Sequence, residues 1–211
     1  VNHPGIWVDR AGAAVPEIAK TGANVVRVFW VATYGVPIRE ADAILTKIAD
    51  EGMFPMLEMH DATGPSNWNK MQEIVDYWTS PEAVQLIEKH KAHLLVNIAN
   101  EAGPGRGQGY ADFERVYADA VKQLRDAGIR VPIVIDASNW GREYGVLLDR
   151  GAALQEQDPE HNLVFSAHLY DPMSRQQIAD VLQDAVDLEL PFIIGEFANR
   201  SPGAGCGPAL D

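Results

Sequence analysis

Six short apolar runs recur along this chain, each closing in polar or aromatic residues, with helical patterns between them. The runs are Asn24 to Val31 (NVVRVFWV), Met53 to Met59 (MFPMLEM), the start of His93 to Gly103 (HLLVNIANEAG), Pro132 to Ala137 (PIVIDA), Asn162 to His168 (NLVFSAH) and Pro191 to Phe197 (PFIIGEF). Their β-branched and aromatic content, bounded by Gly, Pro and Asp, marks them as strands. Between them, Ile38 to Asp50 places Ile38, Ala41, Ile44, Leu45 and Ile48 at helical spacing. Ala11 to Lys20, Asn67 to Trp78, Pro81 to His90, Tyr110 to Ala127, Val146 to Gln157 and Arg175 to Leu190 also read as helical, with Gly22, Gly52 and Gly128 as stops. Strict alternation of strand and helix implies a parallel sheet with helical crossovers.

Such a sheet is either doubly wound or closed. No G-x-G-x-x-G or Walker loop follows the first strand, which disfavours a nucleotide-binding sheet. Polar residues stand at nearly every strand end, and a barrel is the fold that collects its site from many strands. The chain therefore predicts an α/β fold, a (β/α)8 TIM barrel, as one domain over residues 1–211. Such a barrel takes ~250 residues, and this chain has 211. Val1-Asn2-His3 reads as the tail of strand 1, and Ser201 to Asp211 is rich in Gly and Pro. The expectation is a truncated barrel without part of strand 1 and all of strand 8.

The net charge of −13 argues against nucleic acid and against an anionic membrane surface as partners. No run of 18 apolar residues is present to span a bilayer. Cys206 is the only cysteine, so neither an intrachain disulfide nor a Cys-based zinc site is available, and it reads as a loop residue. No signal-peptide pattern opens the chain, and nothing in it assigns an oligomeric state.

Two strands close on a glutamate: Glu101 after VNIAN, and Glu196 in IIGEF. Two carboxyl groups over a barrel mouth form a candidate acid/base and nucleophile pair for glycoside cleavage. Strands four and seven face one another across an eight-stranded barrel, so both side chains can point into one site. Trp7, Trp30, Trp140 and Tyr170 lie at or near strand ends and offer the flat faces on which a neutral pyranose stacks.

Arg27 in VVRVFW, His60 in EMHDATG, Asn100-Glu101 in NIANEAG, His168 and Tyr170 in SAHLYDP, and Glu196 in IIGEF together resemble the pattern of glycoside hydrolase family 5. HDATG and DASNWG resemble the bacterial β-mannanases of that family more closely. The resemblance implies a retaining endo-β-1,4-mannanase that acts on β-mannan by double displacement with no cofactor and no metal. It implies Glu101 as acid/base and Glu196 as nucleophile. Arg27 would keep Glu196 ionised, Asn100 would bind the sugar 2-hydroxyl, and His168 and Tyr170 would orient the carboxylates. His60, Trp140 and Trp7 would contact sugar, and a platform tryptophan would come from the strand 8 that the chain lacks. The resemblance also implies a secreted, extracellular protein.

Three other readings compete. An endo-β-1,4-glucanase of the same family would use the same catalytic residues. A metal-dependent barrel hydrolase would use His3, His60, Asp61, Asp136 and His168, although no His-x-His or His-Glu-x-x-His is present. A truncated, inactive carbohydrate-binding remnant would bind without turnover. Asp61 and Asp136 stand between a loop-capping and a site role. Trp68 and Trp78 read as helix-packing residues, and His90, His93 and His161 as structural.

Overall fold

The structure is a computed structural model that describes residues 1–197. The readings of Cys206 and of Ser201 to Asp211 lie outside the described residues. Seven strands run parallel, each paired with the next in chain order: β1 (Asn2–His3), β2 (Val25–Trp30), β3 (Phe54–Met59), β4 (Leu95–Asn97), β5 (Ile133–Asp136), β6 (Leu163–Leu169) and β7 (Phe192–Phe197). They curl into a nearly closed (β/α)8-type barrel, and the Asn2 side chain donates to the Gly195 carbonyl at 3.2 Å between the first and last strands.

The helices are α1 (Gly5–Val8), α2 (Val15–Ala19), α3 (Asp42–Asp50), α4 (Met71–Trp78), α5 (Pro81–His90), α6 (Tyr110–Asp126), α7 (Tyr144–Gln157) and α8 (Arg175–Asp187). Local chemistry sets several starts. Ser80 caps α5 with Pro81 behind it, where the missing N–H costs nothing. Ser174 and Gln177 form a reciprocal capping box on α8. Two expected helices begin as 3-10 turns, Ile38–Ala41 and Pro65–Lys70. The predicted helix over Ala11 to Lys20 shortens to Val15–Ala19, because the Asp9 carboxylate binds the N–H groups of Ala13 and Ala14 and holds a turn there. Ahead of it, the short helix α1 follows β1 directly.

Strand alternation divides the core from the site. On β2, Val26, Val28 and Trp30 join the apolar cluster beneath the helices, whereas Arg27 and Phe29 do not. Trp30 is therefore a core residue, its Nε1 donating to the Tyr77 hydroxyl at 3.2 Å, and not a sugar platform. Trp78 is likewise buried, with Nε1 donating to the Ile98 carbonyl at 2.8 Å, and Trp68 packs on the core edge. Burying an aromatic with its N–H satisfied keeps the apolar gain without a desolvation cost. His90 pairs with Asp42 at 2.7 Å, and His93 lies edge-on to Phe54. Arg125 and Asp158, both buried, form a bidentate pair (2.8 and 2.9 Å) away from the barrel mouth.

Candidate active site

The polar residues of β2 to β7 gather around one buried guanidinium. Arg27 is 3% exposed, and each of its hydrogen bonds reaches another strand or the loop beyond it. Nε and Nη2 donate to Asn97 (3.1 and 2.9 Å), Nη2 also to Asn100 (2.7 Å) and Asp136 (3.0 Å), and Nη1 to Glu196 (2.7 Å). Burial works against its charge, but Glu58, Asp136, Glu196 and Glu101 outweigh this and raise its pKa. A planar fork of five donors suits such a junction, which a lysine could not fill.

Glu101 lies past the end of its strand, which stops at Asn97. Ladder bonds continue irregularly through Ile98 and Asn100. Glu101 then adopts φ 52°, a left-handed conformation held by its N–H on Asp136 (3.1 Å) and its carbonyl on the Gly64 N–H (3.2 Å). Strain of this kind persists only where the surroundings over-determine it. One Glu101 oxygen lies 2.7 Å from Nδ1 of His168. Burial pulls the His168 pKa down, but the Asp136 charge and the Glu101 hydrogen bond reverse this and leave it above its ordinary value.

Glu196 is aimed by an irregularity in β7. Ala167 pairs with Ile194 but His168 pairs with Glu196, so Gly195 is an extra residue that turns Glu196 toward the mouth. A Cβ on Gly195 would lie 2.3 Å from the Ser166 Oγ, so glycine is required. Both Glu196 oxygens are occupied: Oε1 by Arg27, and Oε2 by the Tyr170 hydroxyl at 2.5 Å. Burial and the Glu196 carboxylate raise the Tyr170 pKa, so its phenol stays a donor. Glu101, His168 and Glu196 each offer an atom within 4.8 Å of the others. The Arg27 cation on Glu196 opposes a metal ion at that point.

The two glutamates line a cleft of about 420 Å³ with Asn100, His60, Tyr170 and Trp140. Phe29 and Arg142 complete it, and sequence reasoning passed over both. Trp140 is 47% exposed, at φ 62°, with its ring laid against Gly64, where any Cβ would collide at 2.7 Å. Trp7 is exposed and is not among the residues lining the cleft; it lies edge-on to His60 and Phe29, its Nε1 donating to the Tyr34 hydroxyl.

The two ambiguous aspartates separate. Asp61 binds the N–H groups of Ala32 and Thr33 (2.8 and 2.9 Å) and caps a loop. Asp136 is fully buried and ties together Arg27, Asn97 and Glu101. The residues of the metal reading do not converge, since His3 pairs with Asp9 at 3.2 Å and Asp61 serves the loop. Glu58, Asn97 and Thr63 are further site neighbours that sequence reasoning left without a role. Thr63 holds the Asn100 amide at 3.0 Å. For Glu58 a signal was available: it is two residues before His60, in phase on the same face of β3.

The family model for cellulase (glycosyl hydrolase family 5) matches residues 2–206. The chain belongs to that family. It is 30% identical over 215 residues to the mannan endo-1,4-beta-mannosidase of Cellvibrio japonicus (strain Ueda107), covering 97% of this chain and 49% of that protein. It is 32% identical over 211 residues to the enzyme of the same name from Salipaludibacillus agaradhaerens, covering 95% and 66%. The chain thus spans about half to two thirds of the length of these relatives. Among solved structures, the mannotriose complex of Thermomonospora fusca beta-mannanase superimposes with a TM-score of 0.86 at 30% identity, covering 96% of this chain and 70% of that one.

Proposed function

We propose that this family 5 chain is a retaining endo-β-1,4-mannanase that cleaves internal bonds of β-mannan by double displacement. The observation that carries the reading is the approach of Glu101 and Glu196, with oxygens within 4.8 Å. Retaining glycosidases hold their carboxyl groups ~5–5.5 Å apart, whereas inverting ones leave ~6.5–9.5 Å for a water.

In this reading Glu196 attacks the anomeric carbon and forms a glycosyl ester as the bond to the leaving oxygen breaks. Glu101 gives that oxygen its proton. Glu101 then takes a proton from water, the water oxygen attacks the same carbon, and Glu196 is released as carboxylate. Arg27 and Tyr170 donate to Glu196 and stabilise its negative charge before attack and after release. His168 engages one oxygen of Glu101 and leaves the other for the leaving group. Asn100, locked between Arg27 and Thr63, is placed to meet the sugar 2-hydroxyl, where hydrogen bonds strengthen in the transition state. His60 and Trp140 contact sugar from the cleft walls, and Trp7 holds the His60 ring by an edge-on contact.

Mannan as substrate is supported by the names of the relatives and by the mannotriose bound to the Thermomonospora fusca enzyme. A relative from Caldicellulosiruptor saccharolyticus, 31% identical, is named beta-mannanase/endoglucanase A, which makes β-1,4-glucan the second substrate to test. A polymer of this size is met outside the cell, and we place the protein there. The test is reducing-sugar release by the chain from locust bean gum and carboxymethyl cellulose side by side. Release from the galactomannan is expected. Release from cellulose alone moves the substrate to glucan, and release from neither overturns the assignment of a hydrolase.

A further inference from the structure

We propose that Glu58 is a positioning residue that acts through His60, holding a proton on its Nδ1 so that Nε2 is the ring nitrogen turned to the sugar, an acceptor in the neutral ring and a donor in the imidazolium. The proposal rests on the glycosidase reading and adds a residue to it.

Glu58 is fully buried in β3, at the back of the site. A carboxylate there is costly unless something compensates it. Its hydrogen bonds among the described residues go to Nδ1 of His60, at 3.1 Å from one oxygen and 3.4 Å from the other. Arg27 is farther, at 3.8 Å, with its Nη1 already committed to Glu196 at 2.7 Å. Glu58 and Arg27 still compensate one another's charge through space, but Asp136 and Glu196 take the hydrogen bonds of Arg27, and the hydrogen bond of Glu58 is left to His60.

His60 is the residue that gains. Its ring stacks on Phe29 (centroids 5.2 Å apart, planes at 27°) and meets the edge of Trp7 at 5.3 Å. These contacts fix the plane of the imidazole. They do not fix which edge faces the cleft, since a half-turn of the ring occupies nearly the same volume. The Glu58 contact selects the edge and directs Nε2 away from β3, where the His60 side chain keeps 26% of its surface exposed.

The charged groups around the ring are Glu58 on its own strand, Arg27 on β2 and Glu101 beyond β4. Burial lowers the His60 pKa and Arg27 opposes its charge, but the hydrogen bond and charge of Glu58, with help from Glu101, leave it above 6.5. The imidazolium, with protons on both nitrogens, therefore persists to higher pH than in a free histidine.

The direct test follows the ring nitrogens of His60 by 15N NMR across pH, in the intact chain and in Glu58→Gln. In the intact chain Nδ1 stays protonated throughout and the midpoint lies above 6.5. Glutamine keeps an acceptor but removes the charge, so the midpoint falls. A neutral form carrying its proton on Nε2 in the intact chain overturns the proposal even if the variant does not fold. This readout needs no substrate, so it stands apart from failure of the hydrolase reading. The second arm is a double-mutant cycle in kcat/KM. Glu58→Gln lowers it about 10-fold in the intact background, the size of one charge-assisted hydrogen bond, and has no further effect once His60→Ala is present. Equal losses in both backgrounds place Glu58 on Arg27 instead and overturn the proposal.

Discussion

Arg27 Nη1 donates to Glu196 Oε1 across 2.7 Å, joining the second strand of the barrel to the seventh through the site itself. The same guanidinium holds Asn97, Asn100 and Asp136, so the positions of both candidate catalytic carboxyls depend on one side chain.

Arg27→Lys keeps the charge but loses the fork. We expect kcat to fall about 10²–10³-fold, the effect of removing a preorganised donor, with KM changing less. Steady-state kinetics on mannooligosaccharides checks this, and an unchanged kcat would mean that Arg27 serves only the fold.

Gly195→Ala places a methyl 2.3 Å from the Ser166 Oγ and 3.0 Å from His168 Nε2. Overpacking of this kind costs about 1–3 kcal/mol, and the displaced Glu196 should also lose turnover. Adding Ser166→Ala removes the closest obstacle, so the double variant should recover much of the stability. Urea unfolding of the three proteins checks the order.

Glu196→Ala should abolish turnover and leave folding intact. If Glu196 is the nucleophile, azide fills the space left and attacks from the same face, giving an α-mannosyl azide. The product is identified by mass and NMR. Rescue in Glu101→Ala with inverted product would exchange the two roles.

The Arg125–Asp158 pair predicts an acid-limb effect on stability remote from the site. Burial alone would raise the Asp158 pKa, but Arg125 and the N–H groups of Asn162 and Glu160 lower it below 3.8. Its contribution is complete above 3.8 and is lost as pH falls through the lower folded-state value. Asp158→Asn leaves Arg125 buried without a counter-charge and should cost about 3–5 kcal/mol near neutral pH. The cost shrinks toward pH 3, and denaturant melts at the two pH values measure it.

Strand-end chemistry made much of this legible in advance. Arg27, Glu101, His168 and Glu196 converge because parallel strands in register bring their carboxyl ends to one mouth, and alternation along β2 separates Arg27 from the core-facing valines. Residues that act through others were harder to read. Asp61 follows a strand and Asp136 closes one, and only the three-dimensional register shows that the first caps a loop and the second binds the Glu101 N–H. Trp7 and Trp30 look alike in one dimension but have opposite surroundings. The left-handed turn at Glu101 and the extra residue at Gly195 are backbone irregularities that periodicity does not report.

The separation of Glu101 and Glu196 predicts the stereochemistry of the product, which tests the central claim most directly. Hydrolysis of mannopentaose by the chain, followed by 1H NMR before mutarotation, should show the β-anomer at the newly formed reducing end first. Initial appearance of the α-anomer would contradict double displacement through Glu196.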